Sequence, residues 1–278
     1  MSYNEIVSTV KHYHHHYHFS YTTSLKKQFA TIAFVTFLLI LILLALFHYL
    51  TPYKPLISTE QLSINQLILA SAATIFRLTV AYFLALVFSV PLALLITGSP
   101  KTERFLLPFF DILQSIPVLA FFPVVVLIFI KINYFSGAAI FVLFMAMLWN
   151  LVFSMVGGLK TIPEDIQSAA FVFKSKGIKK LWHITLPAIF PYIVTGSLLA
   201  WAQGWNITIV AEVLHNYIPN GNPDQDLFGL GSLMVNANYQ GKNIVFIGSL
   251  IMMIVLIGLI NFFVWQKLIH LAQRYKFD

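Results

Sequence analysis

Cysteine is absent from the whole chain, so disulfides, thiolate metal ligands and thiol nucleophiles are excluded. Charge is scarce: Asp, Glu, Lys and Arg make up 10% of the residues, while 59% are hydrophobic. A soluble domain carries about 25% charged residues. A chain so poor in charge belongs in a bilayer. Acidic residues are the rarer sign, 10 against 17 basic, for a net charge of +7. In a membrane protein that surplus reflects Lys and Arg gathered on the cytoplasmic side, so nucleic acid is not expected as a partner. No G-x-x-x-x-G-K-[ST] phosphate loop occurs, and Gly241-Lys242 is followed by Asn243. ATP hydrolysis by that mechanism is therefore not expected in this chain. Paired carboxylates, H-E-x-x-H and nucleophile signatures are lacking too, so the chain does not read as an enzyme. The first apolar run starts near Phe29 with no early small-residue cleavage site, and reads as a retained helix rather than a signal peptide.

What the chain has in quantity is apolar length. Six stretches, at 29–50, 64–98, 104–130, 136–157, 186–213 and 243–270, meet the ~20 residues a transmembrane helix needs. Turn signals such as "TGSPKTER" and "HNYIPNGNPDQDLFGLG" separate them. Alternating segments of about ten residues, which would mark a β-barrel, are not seen. The expected class is an all-α polytopic membrane protein with six transmembrane helices. Its parts are a cytoplasmic or interfacial segment at 1–28, a first helix and outer loop at 29–58, and a core at 59–278. With a cytoplasmic N-terminus, six crossings put both termini inside. The inner side then holds thirteen Lys and Arg; the outer side holds Lys54, Lys131 and Lys242. That bias sets the orientation and places 158–185 in the cytoplasm and 215–241 outside.

The segment between the fourth and fifth stretches is a basic, helix-prone island. Thr161 suits a cap, Pro163 the first turn, and Glu164 and Asp165 the positive end of a helix. Ile166, Ala169, Ala170 and Phe173 form an apolar stripe at helical spacing. Gly177 breaks the helix, and "IKKLWHITLP" leads into the fifth crossing at Pro187. By spacing alone the island fits a groove on another protein and equally an anionic lipid surface held by its lysines.

"SAAFVFKSKGIKKLWHITLPAIFPYIVTG" resembles the cytoplasmic coupling motif of permease subunits of ATP-binding-cassette importers. Ala169, Ala170, Leu186 and Pro187 match its pattern; Ser168 stands where the family usually has Glu, and Lys174 where it usually has Gly. "TIFRLTVAYFLALVFSVPLALLITG" and "LLPFFDILQSIPVLAFFPVVVLIF" resemble the family's core helices. "GWNITIVAE" followed by "GLGSLM" resembles its nitrate, sulfonate, taurine and bicarbonate branch. The resemblance covers about residues 60–275. It implies a type I importer permease fold, with a coupling helix at 163–177 built from Glu164, Ser168, Ala169, Ala170, Phe173, Lys174 and Gly177. It also implies ATPase subunits that carry ATP and Mg on the cytoplasmic side and a second permease chain, most simply identical. On the outer face, near 215–241, it implies a substrate-binding protein. No cofactor is expected in this chain. The rival reading, a transporter or channel that works alone, predicts an inverted internal repeat, and none is visible.

Ionisable residues inside apolar stretches cost about 2.5–3.5 kcal/mol at mid-bilayer on insertion scales and so mark pairs or sites. Arg77 and Glu212 both lie roughly 30–38 Å from the inner face at about 1.5 Å per residue. They are expected to pair between the second and fifth stretches; the alternative is that Arg77 meets an anionic substrate. Asp111 reads as a polar anchor near the inner end of the third stretch. Gln114, Asn150, Gln203 and Asn206, with Trp205, either bond between helices or line the path. Gly157, Gly158, Gly196 and Gly204 allow close helix packing. The "HYHHHYHFS" run (His12, His14, His15, His16, His18) reads as an interfacial terminus with Tyr and Phe at headgroup level, with metal binding as the weaker alternative. Asn222, Asp224 and Asp226 alternate like a calcium loop but lack its Gly and distal Glu. "LGSLMVNANYQG" suits a short amphipathic helix lying on the outer surface.

Overall fold

The computed structural model describes residues 64–163, 165–166 and 177–275. The first apolar stretch, the histidine run and most of the coupling segment lie outside the described residues. Within them there is no strand, and every element is a helix.

The first helix, α1 (Ile64–Thr97), has 34 residues. At about 1.5 Å per residue it is longer than a ~30 Å hydrocarbon core, so it tilts or projects into water. It stops at Gly98, and Ser99 caps the next helix, α2 (Pro100–Ser115), by accepting the Thr102 N–H at 3.1 Å. Pro100 sits in the first turn of α2, where its missing N–H costs nothing.

The 104–130 stretch was expected as one crossing. It is instead two helices, α2 and α3 (Val118–Lys131), bent by 79°. Pro117 is the physical cause. It has no N–H to continue the ladder and bars the preceding residue from helical geometry; Ile116 accordingly lies extended, at φ −77° and ψ 123°. A tight turn follows α3. Asn133 takes φ 59°, a left-handed conformation that Asn tolerates better than most residues, and Tyr134 N–H donates to the Phe129 carbonyl at 2.9 Å. The chain then enters α4 (Phe135–Lys160).

The fifth helix, α5 (Gly177–Glu212), starts ten residues before the proline expected to mark the crossing. Gly177 opens it at φ 61°. Leu181–Thr185 form a π turn in which Leu186 N–H reaches back to the Leu181 carbonyl. Pro187 explains the turn: with no N–H it cannot bond the His183 carbonyl four residues back, and the ladder slips by one residue. A short helix, α6 (Leu230–Tyr239), and the last helix, α7 (Asn243–Tyr275), complete the described chain. Four of these helices are long and apolar enough to cross a membrane, or five if α2 and α3 together make one bent span.

α4 is the centre. It packs mainly against α1 and α5, and its buried face runs from Gly137 to Gly158. Small residues set the approach of the helices. A Cβ on Gly196 of α5 would lie 2.7 Å from Ser154 Cβ and 3.1 Å from the Asn150 carbonyl of α4. Gly158 lies against Tyr192, and Gly204 against Met147 and Leu78. Gly157 departs from the expectation: nothing lies within 4 Å of where its Cβ would be. In the Asn243–Ile260 part of α7 only Val245, Ser249 and Met253 are buried. That stripe, one residue per turn, leaves the rest of this apolar surface for lipid. We expect Gly196→Val to force α4 and α5 apart and cost about 1–3 kcal/mol through overpacking, read as earlier thermal unfolding in detergent; unaltered unfolding would refute this packing.

Candidate functional site

The site begins with a charge that apolar surroundings should reject. Arg77 of α1 and Glu212 at the end of α5 are 3% and 0% exposed, and their side chains meet, Nη2 to Oε1, at 2.5 Å. The pair expected from depth is therefore formed. Desolvating two ions costs several kcal/mol each, and their attraction offsets this only if the remaining hydrogen-bonding capacity is also filled. Most of it is. Thr74, one turn before Arg77 on α1, donates its hydroxyl to Glu212 Oε1 at 2.7 Å. Arg77 Nη2 also donates to the Phe228 carbonyl at 2.7 Å. Glu212 Oε2 accepts the Gly231 N–H at 2.7 Å, and Thr74 Oγ1 accepts the Leu230 N–H at 2.9 Å. Within this cluster, Arg77 Nε is buried without a hydrogen-bond partner.

The last two bonds give the cluster its meaning. Leu230 and Gly231 are the first residues of α6, whose opening N–H groups have no partner within the helix. A carboxylate at that end is also favoured by the helix dipole. Glu212 and Thr74 thus cap α6 from two other helices. Gly229 and Gly231 make the approach possible: a Cβ at Gly229 would collide with both Glu212 oxygens and Arg77 Nη2, and one at Gly231 would sit 2.8 Å from Ile209 Cα and 3.0 Å from Glu212 Oε2. α6 was expected on the surface. Seven of its ten residues are buried, because capping by a buried carboxylate draws its start into the bundle.

A second buried carboxylate organises the segment between α5 and α7. Asp226 is fully buried and His215 Nδ1 lies 2.8 Å from each of its oxygens. Asp226 also accepts the His215 N–H at 3.0 Å and Asn236 Nδ2 at 3.2 Å. A calcium-loop role for Asp226 is overturned by this: its oxygens are committed to His215 and Asn236. No group of three or more His, Asp or Glu fit to hold a metal occurs among the described residues.

At the opposite end of the bundle, Lys160, the last residue of α4, pairs with Glu103 of α2 at 2.5 Å. This bridge stands at the foot of the basic island. Of the coupling residues, Gly177, Leu186 and Pro187 are described, as the start of α5 and the cause of its π turn; Glu164, Ser168, Ala169, Ala170, Phe173 and Lys174 lie outside the described residues.

The polar residues singled out within the spans from sequence do not join the Arg77–Glu212 cluster. Gln114 is exposed and donates to Asp111 Oδ1 at 2.8 Å, within α2. Asn150 reaches the Ala146 carbonyl of its own helix at 3.4 Å. On α5, Trp205 is in the core, Gln203 is half-buried and Asn206 is exposed. Sequence reasoning missed Thr74, Gly229, Gly231 and the His215–Asp226 pair. The signal for the first was a hydroxyl one turn from an intramembrane Arg; for the glycines it was the Gly-Leu-Gly step before a helix.

The bundle and its buried ion pair define an all-α, multi-pass membrane protein. Residues 85–275 match the family described as binding-protein-dependent transport system inner membrane component, and the chain belongs to that family. It is 29% identical over 190 residues to the nitrate import permease protein NrtB of Leptolyngbya laminosa, covering 68% of this chain and 62% of that one. It is 26% identical to the bicarbonate transport system permease protein CmpB of Synechococcus elongatus, with the same coverage of 68% and 62%. The taurine transport system permease protein TauC of Escherichia coli is 26% identical over 143 residues, 51% of each chain. The matches with NrtB and CmpB thus span 62% of the length of those relatives.

Removing one partner of a buried ion pair strands the other. Arg77→Met should therefore cost about 3–5 kcal/mol, seen as a large drop in folded yield and in thermal stability in detergent. A variant as stable as the parent would show that the pair is not what holds this end of the bundle together.

Proposed function

We propose that this chain is the membrane-spanning permease subunit of an ATP-binding-cassette importer, set in the inner membrane with both termini cytoplasmic. The observation that carries the reading is the family match over residues 85–275, which includes the island and both helices that flank it. The chain has no phosphate loop of its own, so the work of transport comes from ATPase subunits that bind ATP and Mg and grip the island at 163–177 from the cytoplasm. A second permease chain, an identical copy in the simplest arrangement, completes the path, and a soluble binding protein delivers cargo to the outer face. The cargo is a small solute with a negatively charged oxygen-bearing group. Nitrate, bicarbonate and taurine, named for the similar permeases, share that chemistry.

The mechanics follow from the elements. The island lies between the end of α4 and the start of α5, the two helices that pack most closely. A push on it reaches the bundle through both. The Glu103–Lys160 bridge adds α2, and the π turn at Leu181–Thr185 gives the start of α5 a weakened ladder at which to flex. Positioning of this kind needs no catalytic group in the chain.

The test is charge reversal of the island. Lys174, Lys176, Lys179 and Lys180 changed together to Glu should abolish co-purification of the ATPase while the permease still inserts and stays monodisperse. Undiminished co-purification, or uptake by the isolated chain in liposomes on an ion gradient without ATP, would overturn the proposal.

A further inference from the structure

The segment from Val213 to Lys242 joins α5 to α7, yet it is not a loose connection. Its own parts are tied together: Asp226 binds His215 and Asn236, and Ser232 Oγ donates to the carbonyls of Leu227 and Gly229. These bonds lie within the segment, so they would travel with it. Side-chain bonds from the spanning helices meet it at the start of α6. There Thr74 and Glu212 accept the N–H groups of Leu230 and Gly231, and Arg77 donates to the Phe228 carbonyl. Leu227 N–H also donates to the Glu212 backbone carbonyl at 3.0 Å, and apolar contact adds to the hold, such as Tyr217 against Phe122 of α3, with ring centroids 4.7 Å apart.

We infer that residues 213–242 form a preassembled lid over the outer end of the bundle, and that the Glu212 carboxylate is its latch. With the lid down, Glu212 faces a guanidinium, a hydroxyl and a helix N-terminus. With the lid lifted, Arg77 and Thr74 remain on α1, but the N–H donor and the positive helix end leave. The carboxylate therefore favours the closed arrangement through contacts that only the closed arrangement supplies, which is the condition for a two-state element. Arg77 is the counter-charge to the latch in an apolar place, and its Nε is buried without a hydrogen-bond partner. In an importer such a lid would gate the outer side of the path. That role rests on the function proposed above; the latch itself does not.

The absence of cysteine gives a direct test. Met234 is in the middle of α6 and 7% exposed, so Met234→Cys provides one thiol hidden under the closed lid. Membranes opened on both faces are treated with a polar maleimide. Labelling should be slow in the otherwise unaltered protein and rise about ten-fold with Glu212→Gln, a shift of about 1.4 kcal/mol in the opening equilibrium. The pair Arg77→Glu with Glu212→Arg should also label fast: it restores opposite charges but sets a cation against the Gly231 N–H. A simple ion pair predicts the reverse, protection regained in the swap, and that result would overturn the latch. If the charge variants do not accumulate, Thr74→Val decides. Loss of its hydroxyl should raise labelling about three-fold, the effect of one hydrogen bond, and no rise would equally refute the idea. Intact cells separate the two claims: a latch that behaves as described in opened membranes but is never labelled from outside would leave the lid standing and sink the orientation.

Discussion

A carboxylate buried at one end of the bundle sets the geometry around it. Glu212 is fully enclosed, and an ion there survives only by collecting donors. It collects them from α1 and α6 while belonging to α5. Three helices meet at one side chain because each supplies what the low dielectric demands. The two glycines beside it are part of the same requirement: a helix start cannot come within hydrogen-bonding distance of a buried carboxylate if a side chain stands between. The result is that the segment after α5 folds inward and becomes part of the bundle.

The remainder of the fold is arranged by backbone rules at prolines and by small residues at contacts. Pro117 splits a stretch that composition would carry straight through the membrane. Pro187 turns the first part of α5 into a π turn, beside the segment expected to receive force. The Glu103–Lys160 bridge ties the end of α4 to α2. The centre is different in kind. α4 meets α1 and α5 through glycines and close apolar packing, which transmits displacement rather than absorbing it. A stiff centre with yielding connections at one end and a polar fastening at the other is a physical basis for motion between two arrangements.

Much of this was legible beforehand. Hydropathy located the spans at 64–98, 136–157 and 243–270 to within a few residues, except that α7 runs on to Tyr275, because the cost of leaving apolar length in water is a sum over neighbouring residues. Depth counting paired Arg77 with Glu212, since few charges share a level in the membrane. The π turn and the 79° bend were marked by prolines whose consequences depend on how the flanking helices are held. Asp226 was read in the wrong company, because alternation along a chain does not say that His215, eleven residues away, folds back onto it.

Composition and residue order alone therefore determined the class, the spans at 64–98, 136–157 and 243–270, the expected sidedness of the basic residues and the expectation of a buried pair, because each follows from solvation energies that act locally along the chain. Only the tertiary structure decided that α6 lies buried rather than on the surface, that Thr74 and Gly231 complete the setting of Glu212, and that α2 and α3 part at Pro117. Those outcomes depend on which donors reach which acceptors across distant segments, and packing in three dimensions makes that choice.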